Sequence, residues 1–429
     1  MAMRKRFLVR STVADLASLG VAMIAASVYV FGTVLPWNSI EAGIAVFPMV
    51  MYLTLSMTLF SFITAQMSGP GVPRPTYGRM FAIFLGTGGL TALLLLFTRG
   101  YFSRPFLIIT AVGWLFLATT HRIIRRRRPW TEQIAVITGE KQLAEDLQDS
   151  PHADVVWVLE PKSESVPELP GRSVTMAVDL KVVLSERVAQ YISSCDVAGY
   201  TIQPFSSVYE EHTGRVPLVH LAEGWEISAP LLEVAPWLPG KRAVETIVTV
   251  VTAPFWILLG GLVALYLKLS TRGPVMFKQE RIGFGGEPFL MYKFRTMGED
   301  AESNGPSFAS EGDDRLILGG RFLRKSRLDE IPQLWNVLKG DMSLVGPRAE
   351  QVPFADMFTE QIPFYAHRHL VRPGITGWAQ VSYGYADDQA DTIEKLTYDL
   401  YYIKHMSPVM DLRVLWKSVW TVLSGFVAR

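Results

Sequence analysis

Cysteine occurs once in 429 residues, at Cys195, so the chain can form no internal disulfide and no thiolate zinc site. Its seven histidines include no HExxH pair, which excludes the helical zinc-hydrolase arrangement. Net charge is only +1 and no nucleic-acid motif occurs, so neither a global field nor a local signature points to DNA or RNA. The glycine-rich phosphate loop is missing too. The turn after Ile134–Ile137 carries one glycine, Gly139, where a dinucleotide fold needs GxGxxG. What the chain has in excess is apolar residues: 49% of the total, with a mean hydropathy of +0.22, concentrated in the first third.

That excess resolves into four long stretches, Thr12–Leu35, Ile40–Thr64, Met80–Phe97 and Pro105–Thr120. Each is about 17–25 residues, enough to cross a ~30 Å hydrocarbon core as a helix. Cations flank the first stretch (Arg4, Lys5, Arg6, Arg10), the second-to-third loop (Arg74, Arg79) and the end of the fourth (Arg122 and Arg125 to Arg128). The first-to-second loop has none, so the positive-inside rule predicts cytoplasmic ends for this bundle, with Arg99 and Arg104 counting against it. Asp15 is expected near the inner interface, as a polar residue at a helix end. The basic N-terminus precedes an apolar stretch too long for a signal peptide, and no cleavage site is evident.

The next segment alternates as an α/β unit. Strands are expected at Ile134–Ile137, Asp154–Leu159 and Val174–Val178, with helices at Lys141–Gln148 and Ser185–Ile192. Glu160 stands where a dinucleotide fold has its ribose-binding acid, but without the glycine loop a structural or regulatory domain is the better reading. Pro204–Gly240 is rich in proline and glycine and reads as a connector.

Thr246–Leu267 is again of membrane length, but Pro254 interrupts it and Gly260-Gly261 comes after. Proline removes a backbone donor and kinks a helix, so a re-entrant hairpin broken at Pro254 is expected rather than a fifth span. Beyond it, a hairpin is expected at Gly285-Gly286, a polar loop over Glu299–Ser310, and a backbone turn in Arg372–Val381 that suits a ligand or a purely structural role. Leu412, Leu415, Trp416, Val419, Trp420 and Leu423 recur at helical spacing with Arg413 and Lys417 off the stripe, which fits a core-facing or an interfacial helix.

The chemistry concentrates in Arg321–Arg348. Asp329 and Glu330 are adjacent, Arg321, Arg324, Lys325 and Arg327 precede them, and Gly346-Pro347-Arg348 closes the stretch. Paired carboxylates beside fixed cations suit phosphate chemistry with a divalent metal: cations neutralise phosphate oxygens, and a carboxylate holds metal or attacks phosphorus. Lys293, Arg295, Arg315, Arg324 and Arg348 are the candidate phosphate contacts, the arginines because a planar fork matches phosphate oxygens.

Residues from about Lys241 to Leu423 resemble the bacterial sugar transferase family, the polyisoprenyl-phosphate hexose-1-phosphate transferases. The likeness rests on Gln279–Gly283, Tyr292–Met297, Leu328–Gln333, Asn336–Arg348, Arg372–Val381 and Tyr398–Lys404, in that order. Two departures stand out. Ala349 replaces the proline that usually continues the Gly-Pro-Arg turn. Ala253-Pro254 replaces the Ser-Pro of some relatives, removing a hydroxyl available to a freed carbonyl. The resemblance implies a membrane α-helical bundle (1–128), a Rossmann-like α/β domain with its connector (129–240), a re-entrant membrane helix (241–278) and an α+β catalytic domain (279–429). It further implies an inner-membrane enzyme facing the cytoplasm that moves a sugar-1-phosphate from a UDP-sugar to a polyprenyl phosphate. Asp329 would be the nucleophile, with Mg²⁺ held by Asp329 or Glu330; whether Glu330 positions the metal or a proton stays open. The larger members of the family also imply a homodimer. A catalytically silent assembly scaffold is the alternative.

Overall fold

The computed structural model describes residues 2–38, 40–41, 44–66, 77–99, 103–126, 131–168, 171, 174–221, 237–298, 315–383 and 389–424. Two compact units emerge, 1–178 with 183–203, and 179–182 with 204–429. The expected loop at Glu299–Ser310 lies outside the described residues.

In the first unit, helices α1 (Ala2–Phe31), α2 (Phe47–Gln66), α3 (Tyr77–Thr98) and α4 (Arg104–Arg126) form a bundle, with a short hairpin β1 (Ile40–Glu41) and β2 (Ile44–Ala45) between α1 and α2. All four helices are long and apolar enough to cross a membrane. Their outward faces carry Leu85, Leu96, Phe97 and Phe116 exposed. The inner seam is small or close-fitting: Ala22, Ala26, Ile83, Phe106 and Trp114 are buried.

One end of this bundle is held by a buried ion cluster drawn from every helix. The Asp15 carboxylate of α1 accepts from Arg122 of α4 at 2.9 Å and from the Ser61 hydroxyl of α2 at 3.1 Å. Arg79 of α3 lies 3.6 Å away and donates to Thr64 of α2 at 3.2 Å. The start of the apolar span of α1 (Thr12–Phe31) and the start of α3 thus meet the end of α2 and α4, an up-and-down order. Asp15, near the start of the apolar span Thr12–Phe31, is buried between the helices, and Arg79 and Arg122, expected as flanking cations, turn inward to meet it. Removing one partner of a buried ion set leaves uncompensated charge, at about 3–5 kcal/mol. Asp15→Leu is therefore expected to lower the melting temperature of the detergent-solubilised protein. A melting curve matching wild type would remove the cluster from the account.

The α/β part has the four-stranded order β4-β3-β5-β6, with β3 (Glu132–Ile137) parallel to both β4 (Ala153–Leu159) and β5 (Thr175–Val178), and β6 (Thr201–Pro204) at the edge. Central β3 is a continuous apolar run because both faces are covered; Ile134, Ala135, Val136 and Ile137 are fully buried. Helices α5 (Lys141–Gln148) and α6 (Glu186–Val197) flank the strands in sequence, α6 capped by the Ser185 hydroxyl, which accepts from the Val188 amide. Glu160 forms an exposed pair with Lys141 at 3.1 Å.

The second unit begins earlier than the connector reading drew it. Helix α7 (Phe205–Thr213) packs on the C-terminal helices because Phe205, Val208 and Tyr209 are buried and Glu210 takes both Lys404 and His405 at 2.9 Å. Trp378 then donates its indole N–H to the Gly214 carbonyl at 2.9 Å.

Helices α8 (Trp237–Val251) and α9 (Ala253–Ser270) break at Thr252, with Pro254 in the first turn of α9. Proline leaves carbonyls on the preceding turn short of donors. The Thr249 carbonyl is served by the Trp256 indole at 2.9 Å and the Thr252 hydroxyl at 3.3 Å, so the hydroxyl lost at Ala253 is replaced from two other positions. Next come the antiparallel hairpin β7 (Met276–Ile282) and β8 (Pro288–Phe294), turning at Gly285 and Gly286, both with positive φ. Helices α10 (Gly320–Lys325) and α11 (Gln333–Lys339), strand β9 (Ser343–Val345), α12 (Val352–Gln361), strand β10 (Gly374–Thr376), α13 (Trp378–Ser382), α14 (Gln389–Lys404) and α15 (Pro408–Ser424) complete the unit. Its main core joins Tyr365, Trp378, Leu400, Tyr402 and Val414.

Candidate active site

Asp329 and Glu330 sit on a single 3-10 turn, Leu328–Glu330, between α10 and α11. The turn opens from Arg327, whose φ of 55° is a left-handed conformation uncommon for a residue with a Cβ. Asn336 fixes the position of the helix beyond the turn. Fully buried, it accepts from the Tyr292 amide at 3.1 Å and donates to the Leu290 carbonyl at 2.8 Å, tying α11 to β8. It also donates to Asp341, which takes Lys339 as well, so Asp341 organises its turn. Strand β8 thereby brings Lys293 to the carboxylates.

The two carboxylates are buried alike but partnered differently. Glu330 accepts from Arg348 at 3.0 Å and from Arg327 at 3.4 Å. Burial works to raise its pKa, yet the two arginines outweigh it and hold it below the usual glutamate value. No described residue donates to Asp329. Burial, then the adjacent Glu330 charge, pushes it up to about 6, against the opposing pull of Lys293, Arg348 and Arg324. Lys293 is brought down to about 8, first by burial and then by Arg281 and Arg348. The result is one locked carboxylate and one uncommitted carboxylate facing several cations. Such a centre can accept a polyanion and offer it a ready oxygen nucleophile.

Of the predicted residues, Lys293, Arg324 and Arg348 converge on the Asp329-Glu330 turn. Arg324 also donates to the Thr296 hydroxyl at 3.0 Å. Arg295 is buried and donates to Thr271 and the Arg272 carbonyl, closing the C-terminus of α9. The Arg315 carbonyl accepts from the Gly298 amide at 2.8 Å. Sequence reasoning placed Arg327 beside the carboxylates without assigning it a partner, and gave no role to Arg281, Asn336 or the Arg368–Asp399 pair. Arg368 bridges Asp399 at 2.8 Å and the Arg348 carbonyl at 3.0 Å, holding the Gly-Pro-Arg turn from behind. Only the buried spacing of these polar groups identifies them, and a linear sequence carries no such signal.

The glycines of Arg372–Val381 serve backbone packing. A Cβ on Gly374 would lie 2.1 Å from the Gly346 nitrogen, and one on Gly377 2.4 Å from the Gly346 oxygen. The chains touch because β9 and β10 run parallel, with Gly346 donating to the Thr376 carbonyl at 2.9 Å. Ala349, in the usual proline position, is buried, and its carbonyl accepts from Arg281 at 2.8 Å. His369 packs edge-on against Tyr365, and burial beside Arg368 lowers its pKa to about 4.

A family profile described as bacterial sugar transferase matches residues 237–425, the stretch from α8 through α15. A relative from Aeromonas hydrophila, named UDP-N-acetylgalactosamine-undecaprenyl-phosphate N-acetylgalactosaminephosphotransferase, is 43% identical over 243 residues, 56% of each chain. A UDP-glucose:undecaprenyl-phosphate glucose-1-phosphate transferase from Xanthomonas campestris pv. campestris is 38% identical over 209 residues, 48% of this chain and 42% of its own. The exopolysaccharide production protein PSS of Rhizobium leguminosarum bv. phaseoli is 39% identical over 175 residues, which are 86% of its length. The chain belongs to the bacterial sugar transferase family. It spans about half the length of the first two of these relatives. The Asp329-Glu330 turn and the residues around it all fall inside the sugar transferase match, and the four-helix bundle and the α/β part lie outside it.

Proposed function

We propose that this sugar transferase moves a sugar-1-phosphate from a UDP-sugar to undecaprenyl phosphate or a similar polyprenyl phosphate. The products are UMP and a polyprenyl-diphosphate sugar, the first membrane step of exopolysaccharide, capsule or O-antigen synthesis. One observation carries the reading: a buried Asp329 to which no described residue donates, beside a Glu330 locked by two arginines. An Asp329 oxygen attacks the phosphorus that bears the sugar, the bond from that phosphorus to the UMP oxygen breaks, and UMP leaves. The lipid phosphate oxygen then attacks the same phosphorus and returns Asp329 as a carboxylate. With a pKa of about 6 the group is mostly ionised at neutral pH and needs no base. Lys293, Arg324 and Arg348 neutralise phosphate oxygens and orient them.

Mg²⁺ suits this donor set. It usually takes one or two carboxylates and shares substrate phosphates, rather than filling a protein cage. No group of three or more metal-ligating side chains occurs among the described residues, and Asp329 has its oxygens uncommitted there. Asp329 would hold the ion, with Glu330 behind it, and the ion would offset charge on the diphosphate.

The proposal includes a cytoplasm-facing site on the inner membrane, anchored by a re-entrant α8–α9 hairpin. Support comes from where the two arms are tied. Lys241 of α8 donates to Asp411 at 2.7 Å and Glu245 accepts from Ser343 at 2.6 Å. In α9, Tyr266 donates to the Leu318 carbonyl at 3.0 Å and Leu267 joins the Phe294 and Leu323 cluster. Both arms therefore return to the same unit. Helix α9 is by itself long and apolar enough to span, but folded back at Thr252 the stretch between Glu245 and Tyr266 reaches at most about 21 Å beyond its anchors, short of a ~30 Å core. Its flanks expose Val251, Phe255, Leu258 and Leu262 to suit hydrocarbon. In a Cys195→Ser background, Val183→Cys and Lys339→Cys are expected to react with an impermeant maleimide from one and the same side of oriented vesicles. Labelling from opposite sides would replace the hairpin with a span. Helix α15, with Leu412, Leu415, Trp416 and Val419 exposed, is read as lying at the interface. Pairing of two copies belongs to the same reading, and light scattering that returned a monomer mass would remove it.

The deciding experiment measures UMP release from UDP-glucose, UDP-galactose and their N-acetylated counterparts, with undecaprenyl phosphate and Mg²⁺. Release with one donor is expected. Silence across the panel from folded protein would leave the scaffold reading.

A further inference from the structure

Helix α15 has its polarity reversed. Leu412, Leu415, Trp416 and Val419, at the spacing of one helical face, are exposed. The opposite face carries Arg413, buried, and Lys417, half-buried. Lys417 is the unusual one. Its ammonium lies 4.2 Å from the centre of the Trp378 ring, and its hydrogen-bond contact is the Ser382 hydroxyl at 3.5 Å. No carboxylate among the described residues reaches it. Burial, and then the neighbouring Arg413 charge, lowers its pKa to about 8. A half-buried ammonium beside a second cation, with no carboxylate among the described residues against it, is suited to meet an arriving anion.

Its position says which anion. Ser418, the next residue, shares a 2.6 Å hydrogen bond with Thr376 at the end of β10. Gly374, two residues earlier on that strand, is bridged to Arg348, and Arg348 holds Glu330. Lys417 is thus joined through one strand to the turn that shapes the reaction centre. It stands on a helix whose outer face is apolar and bears Trp416, a residue suited to the headgroup level of a bilayer. An anion that meets both features has a phosphate at one end and a hydrocarbon chain at the other.

Resting on the function proposed above, we infer that Lys417, flanked by Arg413, receives the phosphate of the polyprenyl acceptor, while the exposed face of α15 lies against hydrocarbon. The Trp378 ring holds the ammonium in place without neutralising it, as an aromatic face does for a cation. The Ser382 hydroxyl adds a second polar group to the same wall. Lys417 contributes to acceptor capture and has no part in the attack of Asp329 on the donor. This division predicts a split between the two half-reactions.

The test uses full-length protein in lipid nanodiscs, as wild type, Lys417→Met and Lys417→Arg. Methionine keeps the stem on Trp378 and removes the charge; arginine restores a cation. Two quantities are read: exchange of labelled UMP into the UDP-sugar without acceptor, and the initial rate against undecaprenyl phosphate concentration. Lys417→Met is expected to raise the acceptor KM about tenfold or more, with exchange retained, and Lys417→Arg to recover most of that loss. An acceptor KM within about twofold of wild type would overturn the assignment. So would a parallel fall in exchange, which marks general damage. A contact with ordinary headgroups would make activity depend on the phosphatidylglycerol content of the nanodisc and leave the acceptor KM alone, which also overturns it. Wild-type protein that shows no exchange with any UDP-sugar would instead remove the underlying reaction, a failure distinct from these.

Discussion

Asp329→Asn is expected to abolish UMP release, by at least about a thousandfold, while the protein stays folded. The amide matches the carboxylate in size but cannot attack phosphorus as an anion. Folding should tolerate it because no described residue donates a hydrogen bond to Asp329. The electrostatics give the sign of any change in stability. Burial and Glu330 raise the Asp329 pKa from 3.8 to about 6. A carboxyl raised on folding contributes stability at low pH that is lost as pH climbs from about 4 through 6. Above pH 7 the wild type carries that buried charge and the asparagine variant does not. The variant should therefore melt no lower than wild type at pH 7.5. An inactive variant that also melts well below wild type would make Asp329 structural. An active variant would keep the reaction and remove Asp329 as its nucleophile.

Arg348→Ala is expected to cost activity and stability together, and a second substitution separates the two. Arg348 donates to Glu330 at 3.0 Å, with Arg327 as the other partner at 3.4 Å. Without Arg348, Glu330 stays buried with its weaker partner alone. Arg348 is 38% exposed, so water screens part of the loss, which stays at about 1–2 kcal/mol. The Asp329 environment also loses one of the cations that oppose its upward shift. Adding Glu330→Gln removes the stranded charge and should restore much of the melting temperature. Turnover should stay at least about a hundredfold down, because the arginine that meets the phosphate is still missing. Recovery of turnover along with stability would reduce Arg348 to a support for the fold.

Much of this architecture can be read from the linear sequence where local periodicity carries it. The apolar runs give the four bundle helices, and the helix Lys141–Gln148 falls where its pattern puts it. Pro254 marks the break between α8 and α9 because a missing N–H acts within one turn. The Asp329-Glu330 turn is legible as a charge cluster. Partnerships across long separations are hidden. Asp15, Ser61, Arg79 and Arg122 look like separate polar residues at helix ends, and only the bundle joins them. The adjacent Asp and Glu look interchangeable, and the arginine reaching back from position 348 makes them different. The glycines at 374 and 377 read equally as ligand-facing or structural, and the contact of their backbone with that of Gly346 shows the structural need. The boundary before α7 is hidden for the same reason, since Glu210 finds Lys404 and His405 almost two hundred residues away.

The central claim is that Asp329 carries the phosphosugar between donor and acceptor. The most direct measurement incubates wild-type protein with a labelled UDP-sugar and Mg²⁺ in the absence of polyprenyl phosphate, quenches, digests with trypsin and maps the adduct by mass spectrometry. The account predicts a sugar-phosphate mass on the peptide Leu328–Lys339, localised to Asp329 and discharged when undecaprenyl phosphate is added before the quench. An adduct on another residue, or UMP that forms only when acceptor is present with no adduct at any time, would contradict it.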